Sequence, residues 1–420
     1  MTHAENRSRR VVITGVGLVT PHGVGLAAAW AGALSGRPAA AAVRRFDARP
    51  FPVQFGCEAP DPGLDEAWLA ARVGDAAVRG FAQDLKGRLA VAALREALEM
   101  SGFAARGPRV GVCMGSEAAR PDLGMVAARL GEGTLPGAAE LERLSPAAPT
   151  RLAAAIVGAT GPATTVSTAC TSSSQAVGEG MLRIRRGEVD AMVVGGVDVL
   201  VDPIMIVGFA KLGALSTRNG DPAAASRPFD ADRDGFVLGE GAGMLVLEDE
   251  ASARARGAPI LAVLSGFGCS CNAYRITDSP PDGRGAAQSM EAALSDAGLD
   301  AADIGYVNAH GTSTPMNDAS ETRGIHRALG AAAAGVPVSS TKGAMGHLVA
   351  ACGAVEAILC VQAVREGRLP PTANLDTPDP ECDLLHVRGA AWERPVRHAL
   401  TNAFGFGGSN GTLAVSRWEG

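Results

Sequence analysis

One cysteine and two histidines lie in separate loops of small residues, and their side chains are of the types that acyl transfer needs. Cys170 lies in Val-Ser-Thr-Ala-Cys-Thr-Ser-Ser-Ser, residues 166–174. His310 lies in Asn-Ala-His-Gly-Thr-Ser-Thr-Pro, residues 308–315, and His347 ends Ser-Ser-Thr-Lys-Gly-Ala-Met-Gly-His, residues 339–347. A thiol can hold an acyl group as a thioester, and imidazoles can move protons or donate hydrogen bonds. We therefore predict a covalent acyl-transfer site built from three distant segments.

Each of these residues also has a simpler interpretation. A cysteine in a chain of this kind is usually a buried thiol that packs as a small hydrophobic group. His310 alone would be a satisfied core histidine, and His347 alone a helix-start residue bonded to local backbone. Cys170 is favoured as a nucleophile because it lies where a strand meets a helix. A helix N-terminus favours the thiolate, and its free N–H groups can hold an oxyanion.

Alternating apolar strands and helices must position the three residues. A strand at 164–169 leads to Cys170 and a helix follows at 175–186, whereas a strand at 304–309 leads to His310. His347 is predicted to open a long helix at 348–365. The other predicted elements are strands at 11–20, 110–114, 190–201, 243–248, 260–268, 398–403 and 412–415, and helices at 88–100 and 285–297. This alternation predicts α/β layers, and the order repeats from about residue 255.

Composition narrows the class of protein. The chain has 420 residues, 47% of them hydrophobic, and a formal charge of −6, which argues against nucleic acid as the main partner. No apolar run is long enough to span a membrane, and the first ten residues lack the apolar core of a signal peptide, so we predict a cytoplasmic protein. The eight cysteines have no zinc-site spacing, so no metal site is predicted.

A final glycine-rich loop, Asn-Ala-Phe-Gly-Phe-Gly-Gly-Ser-Asn, occupies residues 402–410. No helical pattern follows it, so a dinucleotide site is disfavoured. Backbone N–H donors and a movable aromatic side chain beside an acyl pocket fit the loop better.

Six motifs in this order resemble those of the β-ketoacyl-[acyl-carrier-protein] synthases of the thiolase superfamily, the discrete enzymes that elongate fatty acids or polyketides. They are V-V-I-T-G-V-G, T-A-C-T-S, R-P-F-D-A-D-R-D-G-F-V-L-G-E-G-A-G, N-A-H-G-T-S-T, S-S-T-K-G-A-M-G-H and N-A-F-G-F-G-G-S-N. The resemblance runs from Val11 to Arg417. It implies a thiolase fold with five αβαβα layers and two pseudo-symmetric halves, at 1–255 with the nucleophile and at 256–420 with both histidines.

The resemblance also implies a role for each motif residue in a decarboxylative Claisen condensation. Cys170 would accept the acyl group, and His310 and His347 would bind the malonyl thioester and assist decarboxylation. The N–H groups of Cys170 and Phe406 would form the oxyanion hole, with Phe406 as a gate. The remaining residues are Lys342, which would tune the histidines; Glu356, which would brace their loop; Thr312 and Thr314, which would hold the pantetheine arm; and Phe404 and Ala118, which would contact substrate.

The implied partners are an acyl carrier protein, whose phosphopantetheine makes a cofactor in this chain unnecessary, and a second subunit. That subunit is either another copy or a chain-length factor. An acidic carrier would need a basic patch on this acidic chain, although each candidate residue could equally be a solvated surface charge. The candidates are Lys211, Arg218, Arg72 and Arg79.

The chain also departs from the family pattern. Residues 117–120 read Glu-Ala-Ala-Arg where glycine and a bulky aliphatic residue are usual in the fatty-acid enzymes, and alanines lie within 145–149. We predict a reshaped acyl pocket for a polyketide-like or polyunsaturated chain.

Two other functions on the same fold remain open, namely a non-catalytic chain-length-factor-like subunit and an acyltransferase that does not decarboxylate. The intact cysteine and histidines favour the condensing enzyme.

Overall fold

The computed structural model describes residues 9–117, 123–135 and 137–420, and these form strands and helices in alternation. The strands are β1 (Val11–Thr20), β2 (Gly23–Val24), β3 (Ala41–Ala42), β4 (Phe55–Gly56), β5 (Val110–Gly115), β6 (Ala163–Val166), β7 (Ala191–Asp198), β8 (Gly241–Asp249), β9 (Ala262–Cys271), β10 (Ile304–Asn308), β11 (Pro337–Ser339), β12 (Arg368–Leu369), β13 (Leu385–His386), β14 (Trp392–Glu393), β15 (His398–Phe404) and β16 (Ser409–Arg417). The helices are α1 (Leu26–Ser35), α2 (Glu66–Ala70), α3 (Ala76–Arg79), α4 (Leu85–Ser101), α5 (Leu123–Gly131), α6 (Ala138–Leu144), α7 (Ala148–Val157), α8 (Ser172–Arg185), α9 (Pro203–Lys211), α10 (Glu250–Ala255), α11 (Arg284–Ala297), α12 (Pro315–Leu329), α13 (Lys342–Met345) and α14 (Cys352–Glu366).

The same five-strand arrangement occurs twice. In the first half the strands lie side by side in the order β6-β5-β7-β8-β1, and in the second half in the order β11-β10-β15-β16-β9. The directions of the paired strands also match. In the first half, β5 is parallel to both β6 and β7. In the second half, β10 is parallel to both β11 and β15. Strands β8 and β16 each pair antiparallel with both of their neighbours. Strands β1 and β9 pair briefly and so join the two sheets along one edge.

Helices α8 and α14 form the layer between the two sheets. Helix α8 fits there because its glycines let both sheets approach closely. A Cβ at Gly178 would lie 2.3 Å from the ring of Phe267 in β9, and one at Gly180 would lie 2.4 Å from Val194 in β7. Helix α14 is buried from Cys352 to Val364. Helices α4 and α7 cover the outer face of the first sheet, and α11 and α12 cover that of the second. The predicted five-layer fold with two similar halves is confirmed.

The predicted strands and helices are confirmed, with shifts of a few residues at their ends. The sequence patterns predicted α4, α8, α11 and α14 but not the other ten described helices; α12, for example, carries few apolar residues around its buried polar ones. The prediction that His347 opens the long helix is wrong, because α14 begins at Cys352 and His347 instead forms an isolated bridge with Leu238. The half boundary at 255/256 stays a prediction. None of the described helices is long and apolar enough to cross a membrane.

Candidate active site

The nucleophile candidate lies on a turn between β6 and the central helix α8. Residues 169–171 form one turn of 3-10 helix, and α8 begins directly after it at Ser172. The turn starts with Ala169 at φ 52°, a left-handed conformation that costs a non-glycine residue about 1–3 kcal/mol. Gly115, at the end of β5, allows this close packing, since a Cβ there would lie 2.3 Å from the Ser173 nitrogen. The fold therefore places Cys170 at the start of a buried helix.

His347 contacts Cys170 directly. Its Nε2 atom lies 3.0 Å from the Cys170 Sγ atom. The Val349 N–H donates to the His347 Nδ1 atom at 3.3 Å, so Nδ1 must act as an acceptor. The proton of the neutral ring therefore resides on Nε2. His347 directs an N–H group into the site and can donate to a sulfur or to an oxyanion.

His310 completes the group from the end of β10. Its ring centre lies 5.2 Å from that of His347, with the two rings nearly perpendicular. Its loop is held from behind by Glu321 of α12, whose carboxylate accepts the N–H groups of His310 at 2.8 Å and Gly311 at 2.7 Å. The Asn402 side chain donates to the same carboxylate at 3.1 Å. The structure thus brings all three predicted residues together.

Burial, rather than the helix N-terminus, dominates the protonation of these groups. It raises the pKa of Cys170 to about 12, although Lys342 and the backbone N–H groups of Phe406 and Cys170 act in the opposite direction. The backbone N–H groups at the start of the helix therefore favour the thiolate, but burial outweighs them. Burial, together with the charge of Lys342, lowers the pKa of both His310 and His347 well below the usual value. The resting site consists of a thiol and two neutral imidazoles.

Lys342 and Glu356 form a buried ion pair beside the histidines. The Lys342 Nζ atom donates to the Glu356 Oε1 atom, and both side chains are almost completely buried. Burial raises the pKa of Glu356 to about 7, and Glu356 in turn raises the pKa of Lys342. The ammonium is therefore retained close to the imidazoles and favours their neutral form.

A cavity of about 310 Å³ leads from the surface to Cys170, His310 and His347. Thr312 and Thr314 lie on its wall, where their hydroxyl oxygens are 2.9 Å apart. Phe404 and Phe406 also line it, and the Phe404 ring centre lies 5.6 Å from that of His310. The backbone N–H groups of Phe406 and Cys170 both face the thiol, as an oxyanion hole requires. The predicted substrate-binding residues within the described structure therefore share one cavity.

The predicted docking residues are divided between two regions. Lys211 is exposed at the end of α9, next to Leu212, which lines the cavity mouth. Arg218 follows shortly after and forms an ion pair with Asp234, with Nε and Oδ2 3.4 Å apart.

Arg72 and Arg79 lie in the segment that contains α2 and α3, and neither lines the cavity. The Arg72 guanidinium stacks 4.1 Å from the centre of the Trp68 ring. The Arg79 Nη1 atom donates to the Val73 carbonyl at 2.6 Å. Ala118, the remaining predicted pocket residue, lies outside the described residues.

The thiol and imidazoles include atoms of the types that bind zinc, and one ligand atom from each lies within 4.8 Å of the others. The hydrogen bonding of His347 opposes metal binding, however. A metal would need the lone pair of Nε2, but the Val349 N–H keeps the proton of the ring on that atom. We therefore assign no metal to this cluster.

Three charged residues around the site were not predicted from the sequence. Glu321 holds the His310 loop, and Arg233 donates to the carbonyl groups of Thr314 and Pro315. Glu117 accepts a hydrogen bond from the N–H of Ala169. A partial signal existed for the last two, because Arg233 lies in the motif R-P-F-D-A-D-R-D-G and Glu117 lies in the stretch 117–120 that departs from the family pattern. Glu321 had none, since its helix was not predicted.

Comparison with known proteins agrees with this geometry. The family model described as "Beta-ketoacyl synthase, N-terminal domain" matches residues 8–253, and the corresponding C-terminal model matches residues 261–376. The chain is 40% identical to 3-oxoacyl-[acyl-carrier-protein] synthase 2 of Synechocystis, over 99% of this chain and 100% of the relative. It is 41% identical to the tetracenomycin polyketide synthase ketoacyl synthase alpha subunit of Streptomyces glaucescens, over 99% and 98% of the two chains.

Solved structures show the same relationship. A β-ketoacyl synthase from Burkholderia phymatum superposes with a TM-score of 0.88 at 32% identity, covering 98% of this chain and 100% of that chain. A type II polyketide ketosynthase, solved with its acyl carrier protein and bound to a hexaketide, superposes with a TM-score of 0.84 at 30% identity and the same coverage. The chain belongs to the β-ketoacyl synthase family of acyltransferases.

Proposed function

We propose that this protein is a catalytically active condensing enzyme that extends an acyl chain held on Cys170. The substrates are an acyl group and a malonyl group, each carried as a thioester on an acyl carrier protein. The product is a β-ketoacyl thioester on the carrier, with loss of carbon dioxide. The observation that carries this proposal is the 3.0 Å contact between the Cys170 thiol and a histidine whose other nitrogen is occupied by a backbone N–H.

In the first half-reaction, the Cys170 sulfur attacks the acyl thioester carbonyl and the carrier thiol leaves. A thiol whose pKa is about 12 is a weak nucleophile, so its proton must move as the sulfur attacks. The departing carrier thiolate takes up one proton, so the step is balanced. The N–H groups of Cys170 and Phe406 stabilise the oxyanion of the tetrahedral intermediate.

In the second half-reaction, malonyl thioester occupies the same cavity and loses carbon dioxide. The electron pair of the broken C–C bond becomes the enolate, so no base has to remove a carbon-bound proton. Neutral His310 and His347 stabilise the enolate oxygen by donating N–H groups. The enolate carbon attacks the acyl-Cys170 carbonyl and the C–S bond breaks. The Cys170 sulfur leaves as a thiolate and takes up one proton from water, which restores the resting thiol. Burial, together with the charge of Lys342, keeps both imidazoles neutral.

The substrate arm is the phosphopantetheine of the carrier protein, so this chain needs no cofactor of its own. We assign the paired hydroxyl groups of Thr312 and Thr314 to the arm, because they lie on the cavity wall between the surface and the histidines.

For docking of the carrier protein, Lys211 and Arg218 are better placed than Arg72 and Arg79. Lys211 ends α9 next to the cavity mouth, and Arg218 follows shortly after it. Relatives in both fatty-acid and polyketide synthesis have similar identity to this chain, so we propose extension of one of these two chain types.

We propose that the working protein is a dimer. Strand β6 forms an open edge of the sheet, and Leu130 and Leu141 are 63% and 54% exposed in this single chain. Such surfaces favour a partner subunit. Light scattering on the purified chain tests this: twice 42.5 kDa indicates a homodimer, whereas a monomer that gains mass only with a chain-length factor indicates a heterodimer.

Reconstitution tests the reaction. The protein is mixed with acyl-loaded and malonyl-loaded carrier proteins, and the carrier products are measured by mass spectrometry. We expect a β-ketoacyl carrier and one equivalent of carbon dioxide. C170A should form no product, and the H310A/H347A double variant should acquire the acyl group without extending it. Absence of product with carriers from both fatty-acid and polyketide systems would contradict the proposal and favour a non-catalytic subunit. An ester or amide product without release of carbon dioxide would indicate the acyltransferase alternative.

A further inference from the structure

The Glu117 carboxylate lies directly beside the turn that presents the nucleophile. Glu117 follows β5 by two residues, and the parallel pairing of β5 with β6 carries it alongside residues 167–169. Its Oε1 atom accepts the Ala169 N–H at 3.0 Å, and its Oε2 atom accepts the Ser167 hydroxyl at 2.7 Å. The Ser172 hydroxyl oxygen lies 3.2 Å from Oε1. One side chain thus bridges three residues around Cys170.

We propose that Glu117 is a positioning residue for the nucleophile: its carboxylate holds the left-handed turn at Ala169 and places a fixed negative charge beside the Cys170 thiol. The first role follows from the bond to the N–H of the strained residue itself. The second follows from its place at the N-terminus of α8, where an anion interacts favourably with the helix. That interaction would otherwise be available to the Cys170 thiolate.

The charged groups near Cys170 affect its thiolate form in opposite directions. Lys342 favours the thiolate, whereas Glu117 disfavours it and raises the pKa of Cys170. His347 and His310 are neutral, and the Cys352 thiol donates to the Cys170 carbonyl at 3.2 Å. Glu356 offsets Lys342 through their ion pair. Glu117 is thus a carboxylate bonded directly to this turn, and its charge adds to the effect of burial, which is the main reason that the resting sulfur stays protonated.

The rate of Cys170 alkylation by iodoacetamide as a function of pH tests this proposal directly. E117Q keeps the size of the side chain and an acceptor for the Ala169 N–H but removes the charge. We expect the midpoint of the alkylation profile to fall by roughly 0.5–1 pH unit, which makes Cys170 react roughly 3–10 times faster at pH 8. Peptide mapping follows each thiol separately, and the exposed Cys269 and Cys271 serve as internal controls whose rates should not change.

S167A is the matched control, because it removes one hydrogen bond to the carboxylate and keeps the charge. Its profile should coincide with that of the unmodified protein. An unchanged midpoint in E117Q, or an equal shift in S167A, would overturn the proposal. If E117Q does not fold, E117D tests the proposal instead. Its shorter side chain moves the charge away from Cys170, so the midpoint of the alkylation profile must still fall, by a smaller amount than in E117Q.

The proposal rests on the proposed function for the role of Cys170, but alkylation needs no carrier or extender. A failed condensation assay with a shifted E117Q profile would therefore overturn the proposed function alone.

Discussion

The two halves of the molecule enter the central layer through the same kind of turn but use it for different chemistry. In the first half, residues 169–171 form a 3-10 turn that begins with Ala169 at φ 52° and leads into α8. In the second half, residues 349–351 form a 3-10 turn that begins with Val349 at φ 40° and leads into α14. Cys170 occupies the second position of one turn, and Ala350 the same position of the other.

The first N–H of each turn donates to a different kind of acceptor in the two halves. The Ala169 N–H donates to the Glu117 carboxylate, which fixes the backbone around the nucleophile. The Val349 N–H donates to His347 Nδ1, which fixes the proton of that imidazole on the nitrogen facing Cys170. A positive φ is a real strain for a β-branched residue such as Val349. The second turn therefore keeps its strained shape because that shape orients a histidine, although it carries no nucleophile.

Moving the thiol from one turn to the other has the largest expected effect and tests whether the two turns are chemically equivalent. C170A should lower the condensation rate by roughly 10⁴-fold or more, because the covalent step is lost. The double variant C170A/A350C carries a thiol at the equivalent position of the other turn. We expect no rescue, because the His347 N–H faces Cys170. Product formation by carrier mass spectrometry checks both, and rescue by A350C would mean that the turn alone creates the nucleophile.

Removal of Glu321 should separate the two half-reactions. E321A removes the acceptor of the His310 and Gly311 N–H groups, so the His310 loop loses its support. We expect malonyl decarboxylation to fall by roughly 10–100-fold, within the range for a misplaced catalytic group. Acylation of Cys170 should change by less than about threefold. The two rates are measured separately, with E321Q as the size-matched control, and an equal loss in both would contradict the assignment.

The pH dependence of decarboxylation tests the neutral state of the histidines. Burial and Lys342 lower the pKa of both imidazoles, so both remain neutral at pH values below the usual histidine pKa of 6.5. A group with a lowered pKa loses its functional neutral form only when the pH falls through that lowered value. We expect the rate to stay level from pH 7.5 through 6.5 and to fall only at more acidic pH. A half-maximal rate near pH 6.5 would show that the histidines titrate normally.

The smallest effect is expected at the cavity wall. T312A and T314A remove the hydroxyl groups assigned to the substrate arm, which lie on the cavity wall and bond to each other. We expect KM for carrier thioesters to rise by roughly 3–10-fold per variant, the cost of about one hydrogen bond, while kcat stays within about twofold. Steady-state kinetics with the malonyl carrier check this. A fall in kcat without a change in KM would place these hydroxyl groups at the reacting atoms instead.

Much of the fold and the three central residues could be predicted from the sequence, because these features depend on local patterns. Buried strands such as residues 110–115 are short apolar runs, and the motifs around Cys170, His310 and His347 are continuous in the chain. The supports of the site could not be predicted in the same way. Glu321 reaches His310 from a helix with little apolar periodicity, and Glu117 reaches Ala169 through strand pairing across 52 residues.

The protonation of Cys170 could not be predicted either. The sequence indicates a helix N-terminus after Cys170, which favours the thiolate, but the dominant influence is the burial of the thiol between two sheets. Burial depends on the whole assembly of layers, which no local motif reports. This balance matters, because it changes the expected resting nucleophile from a thiolate to a thiol.

Peptide mapping after incubation with an acyl-loaded carrier protein shows whether Cys170 forms the covalent acyl intermediate. Without an extender, we expect one acyl group per chain, located by tandem mass spectrometry on the peptide containing Cys170 and removed by hydroxylamine. The C170A protein should carry none under the same conditions. An acyl group on another residue, or chain extension by the C170A protein, would show that Cys170 does not hold the acyl chain.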